Sequence, residues 1–215
     1  MAAKSTSVSE LADHYASWLS TASTGSRLLI AIVGAPASGK STLAQKLVKT
    51  INEFVAGAAM AISMDGFHFD DDVLIPRGWR SRKGAPHTFD VASFHDVLVR
   101  LRTNNEPFVV APRFDRSTES SRSAAIAIDR TVRIVVVEGN YLLYDGKPWA
   151  SLAELFDESI FIDVDEETLE ARLRERWSSH GVTVVESARR IFENDLPNGR
   201  TVRTQSAEPT WRLTF

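Results

Sequence analysis

Apolar residues recur along this chain in two rhythms, and their alternation sets the expected architecture. Residues 28–33 form an unbroken apolar run of strand length, and Leu43, Leu47, Val48 and Ile51 then return at helical spacing. Between them lies a glycine-bounded loop, residues 34–41. Ahead of this unit, residues 8–19 read as an amphipathic helix with Leu11, Tyr15, Trp18 and Leu19 on one side and Ser9 as candidate cap, joined by a polar connector, 21–26. Residues 58–64 read as a second strand. Asp90 caps a helix running to about Arg102, whose buried face carries Val91, Phe94, Val97, Leu98 and Leu101.

Residues 108–111 read as a short strand. The β-rich runs 124–128 and 132–137, separated by Asp129, Arg130 and Thr131, read as a hairpin. The second run, VRIVVVEG, also has the continuous apolar character of a central strand buried on both faces. A short helix over 149–156 and a strand over 159–164 follow. Asp165, Glu166 and Glu167 then open a helix whose dipole their charges suit. That helix runs into Ser178, Ser179, His180 and Gly181, and a second helical stretch continues to about Asn194. Residues 195–199 read as a turn and 210–215 as a closing strand. Strands alternating with helices predict an α/β fold, a parallel sheet covered on both faces.

Composition narrows the class. At 215 residues the chain can bury a proper core as a single domain, 1–215, or as a domain with an inserted lid. A net charge of −3 gives no bulk attraction to nucleic acid or to an acidic membrane, so neither is an expected partner and anion binding must be local. The absence of cysteine excludes disulfides, thiolate metal sites and cysteine nucleophiles, and fits a cytoplasmic location. The N-terminal residues lack the apolar core of a signal peptide, and no run approaches a membrane span.

In parallel sheets ligands sit beyond the carboxyl ends of the strands, so the residues just after each strand are the ones to read for chemistry. Gly34, Gly39, Lys40 and Ser41 fit G-x-x-x-x-G-K-[ST], with Ala35, Pro36, Ala37 and Ser38 inside the loop and Thr42 following it. Loop amides and the open N–H groups of the helix start can wrap phosphate oxygens. Lys40 can reach the β- and γ-phosphates, and the Ser41 hydroxyl can ligate Mg²⁺. Asp65, at the end of the second strand on the same edge, is placed to accept a proton from a substrate hydroxyl, or else serves as an Asx-turn residue beside Gly66. His68 either binds substrate or orients Asp65. Glu138, ending the VRIVVVEG strand, is either a Mg²⁺-holding carboxylate or the base itself.

The polar stretch 69–89 has the length of a functional loop, and its basic residues, Arg80, Lys83 and His87 among them, either hold substrate or form a solvated charged surface. Arg113 and Arg116 bracket Asp115 after a strand, as substrate contacts or a surface ion pair. Arg172 and Arg176 share one helix face. The helix, turn and helix over about 172–190 suit a mobile lid bringing positive charge to a phosphoryl group, the alternative being a charged exposed face.

The motifs MDGFHFDD, RKGAPHTFD, PRFDRS, EGNYLL, RLRERW and NDLPN resemble the P-loop kinase superfamily that contains uridine kinase, phosphoribulokinase and bacterial pantothenate kinase. Within it they are most similar to bacterial proteins labelled nucleoside/nucleotide kinase family or fructose transport system kinase. The resemblance implies a three-layer P-loop NTPase sandwich with a five-stranded parallel core, a small β-hairpin on the substrate side and a helical lid. It also implies ATP and Mg²⁺, with phosphoryl transfer to a hydroxyl of a small metabolite: a sugar, a nucleoside or a pantothenate-like alcohol. By matching positions, Asp65 is the base, Glu138 the strand-end carboxylate, and Arg172 and Arg176 the lid arginines. Where uridine kinases carry Asp-Ser-Phe, this chain has Asp65-Gly66-Phe67, closer to the pantothenate kinase form. The competing class is a P-loop ATPase or GTPase switch acting on a protein partner. No Asn-Lys-x-Asp sequence supports a GTPase, and the basic 69–89 loop looks like equipment for a second small substrate. Exposed edge strands near the hairpin would permit a homodimer.

Overall fold

Strand β2 (Leu28–Gly34) is buried along its whole length and lies in the middle of a six-stranded sheet in the computed structural model, which describes residues 3–214. The other strands of this sheet are β1 (Lys4–Ser5), β3 (Ala59–Ser63), β6 (Ile134–Gly139), β7 (Glu158–Asp163) and β8 (Trp211–Thr214). Their order is β1-β8-β7-β2-β6-β3, and every pairing is parallel. Five strands thus form the expected core, and two-residue β1 extends it at one edge. The last residue of the predicted closing strand, Phe215, lies outside the described residues.

Because side chains alternate across a strand, β2 and β6 feed two separate cores. Leu29, Ala31, Val33, Val135 and Val137 face helix α4 (Val91–Thr103), which follows the single-turn helix α3 (Asp71–Leu74), while Leu28, Ile30, Ile32, Ile134 and Val136 face α1 (Val8–Thr21) and α2 (Lys40–Phe54). This is a three-layer α/β sandwich. Helix α4 is capped by Asp90 as expected, its side chain accepting from the Ser93 amide at 3.0 Å. Helix α1 is capped by Ser7 rather than Ser9. The Ser7 hydroxyl accepts from the Glu10 amide at 3.3 Å and the Glu10 carboxylate accepts from the Ser7 amide at 2.7 Å, a reciprocal pair that Ser9 has no residue to form.

The predicted hairpin has a different partner. Strand β5 (Ser120–Asp129) pairs antiparallel with β4 (Phe108–Asp115), from Phe108 opposite Asp129 to Asp115 opposite Ser120, while β6 enters the main sheet between β2 and β3. The reason lies in burial. Consecutive apolar residues in β6 need cover on both faces, which a two-stranded ribbon cannot supply, whereas half-exposed β5 needs only one. Strand β4 runs beyond the expected Ala111, with Pro112 accommodated at a register shift between Ala111 and Arg113.

The C-terminal region is α5 (Glu166–Ser179), α6 (Val184–Arg190), a π-type turn (Ile191–Asp195) and α7 (Leu196–Thr204). Residues 195–199, predicted as a turn, are therefore helical. Pro197 sits in the first turn of α7, where a missing amide is tolerated, and the widened π-turn before it is closed by the Leu196 amide donating to the Ile191 carbonyl. Among the described residues no helix is long and apolar enough to cross a membrane.

Candidate active site

The loop after β2 is shaped by close approaches. A Cβ on Gly34 would lie 2.6 Å from Ser38 Oγ and 3.0 Å from the Ile162 carbonyl, so only glycine lets the chain turn there. Gly39 has a φ of +99°, the left-handed conformation from which α2 starts. Lys40, the first residue of α2, is buried, and its Nζ donates to the Ala35 carbonyl at 2.8 Å, closing the loop on itself. The next residue, Ser41, donates through Oγ to Glu138 Oε1 at 3.0 Å, linking the helix start to the end of neighbouring strand β6.

Asp65 lies in a single 3₁₀ turn, Met64–Phe67, at the end of β3, where the Ser63 hydroxyl accepts from its amide at 3.2 Å. A Cβ on Gly66 would stand 2.5 Å from the Pro112 carbonyl, so this turn is pressed directly against β4. That contact brings the hairpin to the site, and Arg116 Nη2 lies 3.0 Å from Asp65 Oδ2. The pairing of Asp65 with Arg116 distinguishes it from a simple turn residue. His68 contacts the Asp65 backbone carbonyl, not its carboxylate, through Nδ1 at 2.8 Å. Since a carbonyl only accepts, Nδ1 carries the proton. The His68 ring packs on Phe89 and Phe114 at 4.0 and 4.9 Å, and burial lowers its pKa, so the ring is neutral at neutral pH.

These groups line one cleft of about 470 Å³ with Pro36, Ala37, Gly39, Lys40, Ser41 and Thr42 on one side and Arg80 and Lys83 on the other. Gly34, Ala35 and Ser38 lie behind this wall and shape it. Arg172 and Arg176 reach the cleft from α5, Arg172 donating to the Ser38 carbonyl at 3.3 Å. Burial lowers the pKa of the Arg176 guanidinium, and the nearby charge of Arg116 acts in the same direction. Arg80 and Lys83 share one carboxylate, Asp71, at 2.6 and 2.9 Å. Two of the candidate residues are placed elsewhere. His87 faces Trp79 in a separate groove, and Arg113 is exposed on β4 opposite Arg122.

Burial dominates the electrostatics. It lowers the Lys40 pKa to about 8, against the opposing pull of Glu138 and Asp65. It raises the Glu138 carboxyl above the usual range, with Asp65 adding to the effect and Lys40 opposing it. The residues present fit a nucleotide and a hard cation. Ser38 Oγ is buried with no hydrogen-bond partner inside the loop, and Ser41 and Glu138 offer two adjacent oxygens, few enough that Mg²⁺ would keep waters and phosphate oxygens as further ligands.

Sequence reasoning missed several residues of this cleft: Asn140, Trp177, Asn194 and Asn198. Asn140 follows the β6 strand end, where ligand contacts concentrate, and was legible on that ground. The pair Asn194 and Asn198, four apart on one helical face, was hidden by reading 195–199 as a turn.

A phosphate-wrapping loop and a separate loop carrying a carboxylate meet across this cleft, which is the plan of a P-loop phosphotransferase. The chain belongs to the phosphoribulokinase / uridine kinase family, whose model matches residues 29–185. It is 32% identical over 190 residues to "Putative uridine kinase C227.14" of Schizosaccharomyces pombe, covering 85% of this chain and 81% of that one. It is 32% identical over 201 residues to "Uncharacterized protein YggC" of Escherichia coli, covering 91% and 81%. Among solved structures, the crystal structure of a "putative fructose transport system kinase" from Silicibacter sp. TM1040 superposes with a TM-score of 0.86 at 35% identity, over 98% of this chain and 99% of the other.

Proposed function

We propose that this protein is an ATP-dependent kinase that transfers the γ-phosphoryl group to a hydroxyl of a small metabolite. The observation that carries this reading is the convergence of Lys40, Ser41, Asp65 and Glu138 on one cleft whose far wall is basic. Backbone amides of residues 37–42 and the Lys40 ammonium would hold the phosphates, and Ser41 with Glu138 would hold Mg²⁺. Mg²⁺ supplies charge neutralisation on the transferred group. Asp65 accepts the proton of the acceptor hydroxyl as its oxygen bonds to the γ-phosphorus, and the bond from that phosphorus to the β–γ bridging oxygen breaks to release ADP. Arg116 holds Asp65 in place until the hydroxyl arrives, and Arg172 and Arg176 stabilise charge on the transferring group. His68, Arg80 and Lys83 would line the acceptor, which by family resemblance is a sugar, a nucleoside or a pantothenate-like alcohol.

The test is ADP release from Mg²⁺–ATP against a panel of those three compound classes. Acceptor-dependent release supports the reading. Slow hydrolysis indifferent to every acceptor would overturn it in favour of a switch acting on a protein partner.

A further inference from the structure

The turn that carries Asn194 also touches the loop that carries Lys83. Asn194 Nδ2 donates to the Lys83 carbonyl at 2.8 Å, and Arg82 Nη1 donates to the Glu193 carbonyl. The second bond exists because of Pro197. In a regular helix the Glu193 carbonyl would be taken by the amide four residues on, but Pro197 has no amide to give. The π-turn at Ile191–Asp195 thus leaves one carbonyl and one amide side chain free to grip the 80–84 loop, and both are used. Functional sites often contain such turns, and here the turn has an identifiable task.

The gripped loop is otherwise tied to the acceptor side. Lys83 Nζ donates to Asp71 Oδ1 at 2.9 Å and to the Glu119 carbonyl at 2.8 Å in the hairpin turn, and Tyr141 holds the Gly84 carbonyl at 2.8 Å. The gripping turn is tied to the nucleotide side. Asn194 Oδ1 accepts from Asn198 at 3.1 Å, and next to Asn198 a Cβ on Gly199 would lie 3.2 Å from the phosphate-loop residue Ala35. Beside Asn194, Asp195 accepts from Trp177 of α5 at 2.8 Å, one residue beyond Arg176. Hydrogen bonds from Trp177 and Asn198 and the packing of Gly199 on Ala35 therefore join both nucleotide-facing elements to the acceptor loop.

We infer that Asn194 and Arg82 are positioning residues that couple nucleotide occupancy to the order of the acceptor loop. Phosphates bound by Arg172, Arg176 and the loop after β2 steady α5 and the π-turn, and the two bonds pass that order to residues 80–88. This rests on the proposed nucleotide site, and the test separates the two. Hydrogen exchange of the peptide covering 80–88 is followed with and without a non-hydrolysable ATP analogue, beside calorimetric binding of the same analogue. In the wild type the analogue should slow exchange of this peptide about tenfold, a coupling within the usual range. Arg82→Met should bind the analogue within about twofold of wild type but lose the slowing, and Arg82→Lys, which keeps a donor, should restore part of it. Pro197→Ala is the independent variant. Its new amide recaptures the Glu193 carbonyl from Arg82, and it too should lose slowing without losing affinity. Equal slowing in wild type and both loss variants would overturn the coupling, as would an analogue that binds wild type without changing this peptide. An analogue that does not bind at all would overturn the kinase reading itself.

Discussion

Ser41 Oγ donates its hydrogen bond to Glu138 Oε1 across 3.0 Å, joining the first turn of α2 to the end of β6. Two oxygens from different elements meet here beside a buried lysine, and Glu138 is itself raised in pKa by burial. A carboxylate in that setting is stabilised most by a cation. Ser41→Ala should therefore raise the Mg²⁺ concentration needed for half-maximal turnover about 10- to 100-fold while leaving the fold intact. An unchanged Mg²⁺ dependence in a titration at saturating ATP would remove Ser41 from the metal site.

Lys40 is the second pressure point, with a pKa lowered to about 8 by burial. The sign follows from its depressed value. The unfolded chain keeps Lys40 charged to about pH 10.4, so between 8 and that point unfolding takes up a proton and the lysine's contribution to stability rises with pH. Compared with Lys40→Met, nucleotide-free wild type should gain up to about 3 kcal/mol from pH 8 to 10.5. The gain disappears again as pH falls through 8. Denaturant titrations across that window measure the difference, and a difference that stays flat with pH would contradict the burial of a charged Lys40.

Gly66 is where the turn that carries Asp65 meets the hairpin. A Cβ there would lie 2.5 Å from the Pro112 carbonyl, a backbone atom that cannot move aside cheaply. Gly66→Ala should cost about 1–3 kcal/mol of stability and separate Arg116 from Asp65. Thermal melts give the first, and a wild-type melting temperature would contradict the contact.

The phosphate-binding unit was legible because its signals are contiguous: an apolar strand, a glycine-bounded loop and a helix start occupy one short stretch. The positions of Asp65 and Glu138 followed from strand ends alone. The pairing of Asp65 with Arg116 was not legible, since 51 residues separate them and only the hairpin's docking brings them together. Two adjacent β-rich runs joined by Asp129, Arg130 and Thr131 look like a hairpin locally, and burial of β6 on both faces decides otherwise. Pro197 reads as a helix breaker, yet it opens α7. Composition marked the 69–89 loop as basic but not which way each side chain turns, so Lys83 faces the cleft while His87, four residues on, faces another groove.

Asp65 as the base of phosphoryl transfer is the central claim, and Asp65→Asn tests it most directly. The side chain keeps its shape and an oxygen for Arg116 but cannot take the acceptor's proton at neutral pH. With the acceptor that gives the greatest ADP release, kcat should fall about 10²- to 10⁴-fold while nucleotide affinity and melting temperature stay near wild type. Turnover close to wild type, with nucleotide binding equally intact, would contradict the account and move the proton transfer to Glu138.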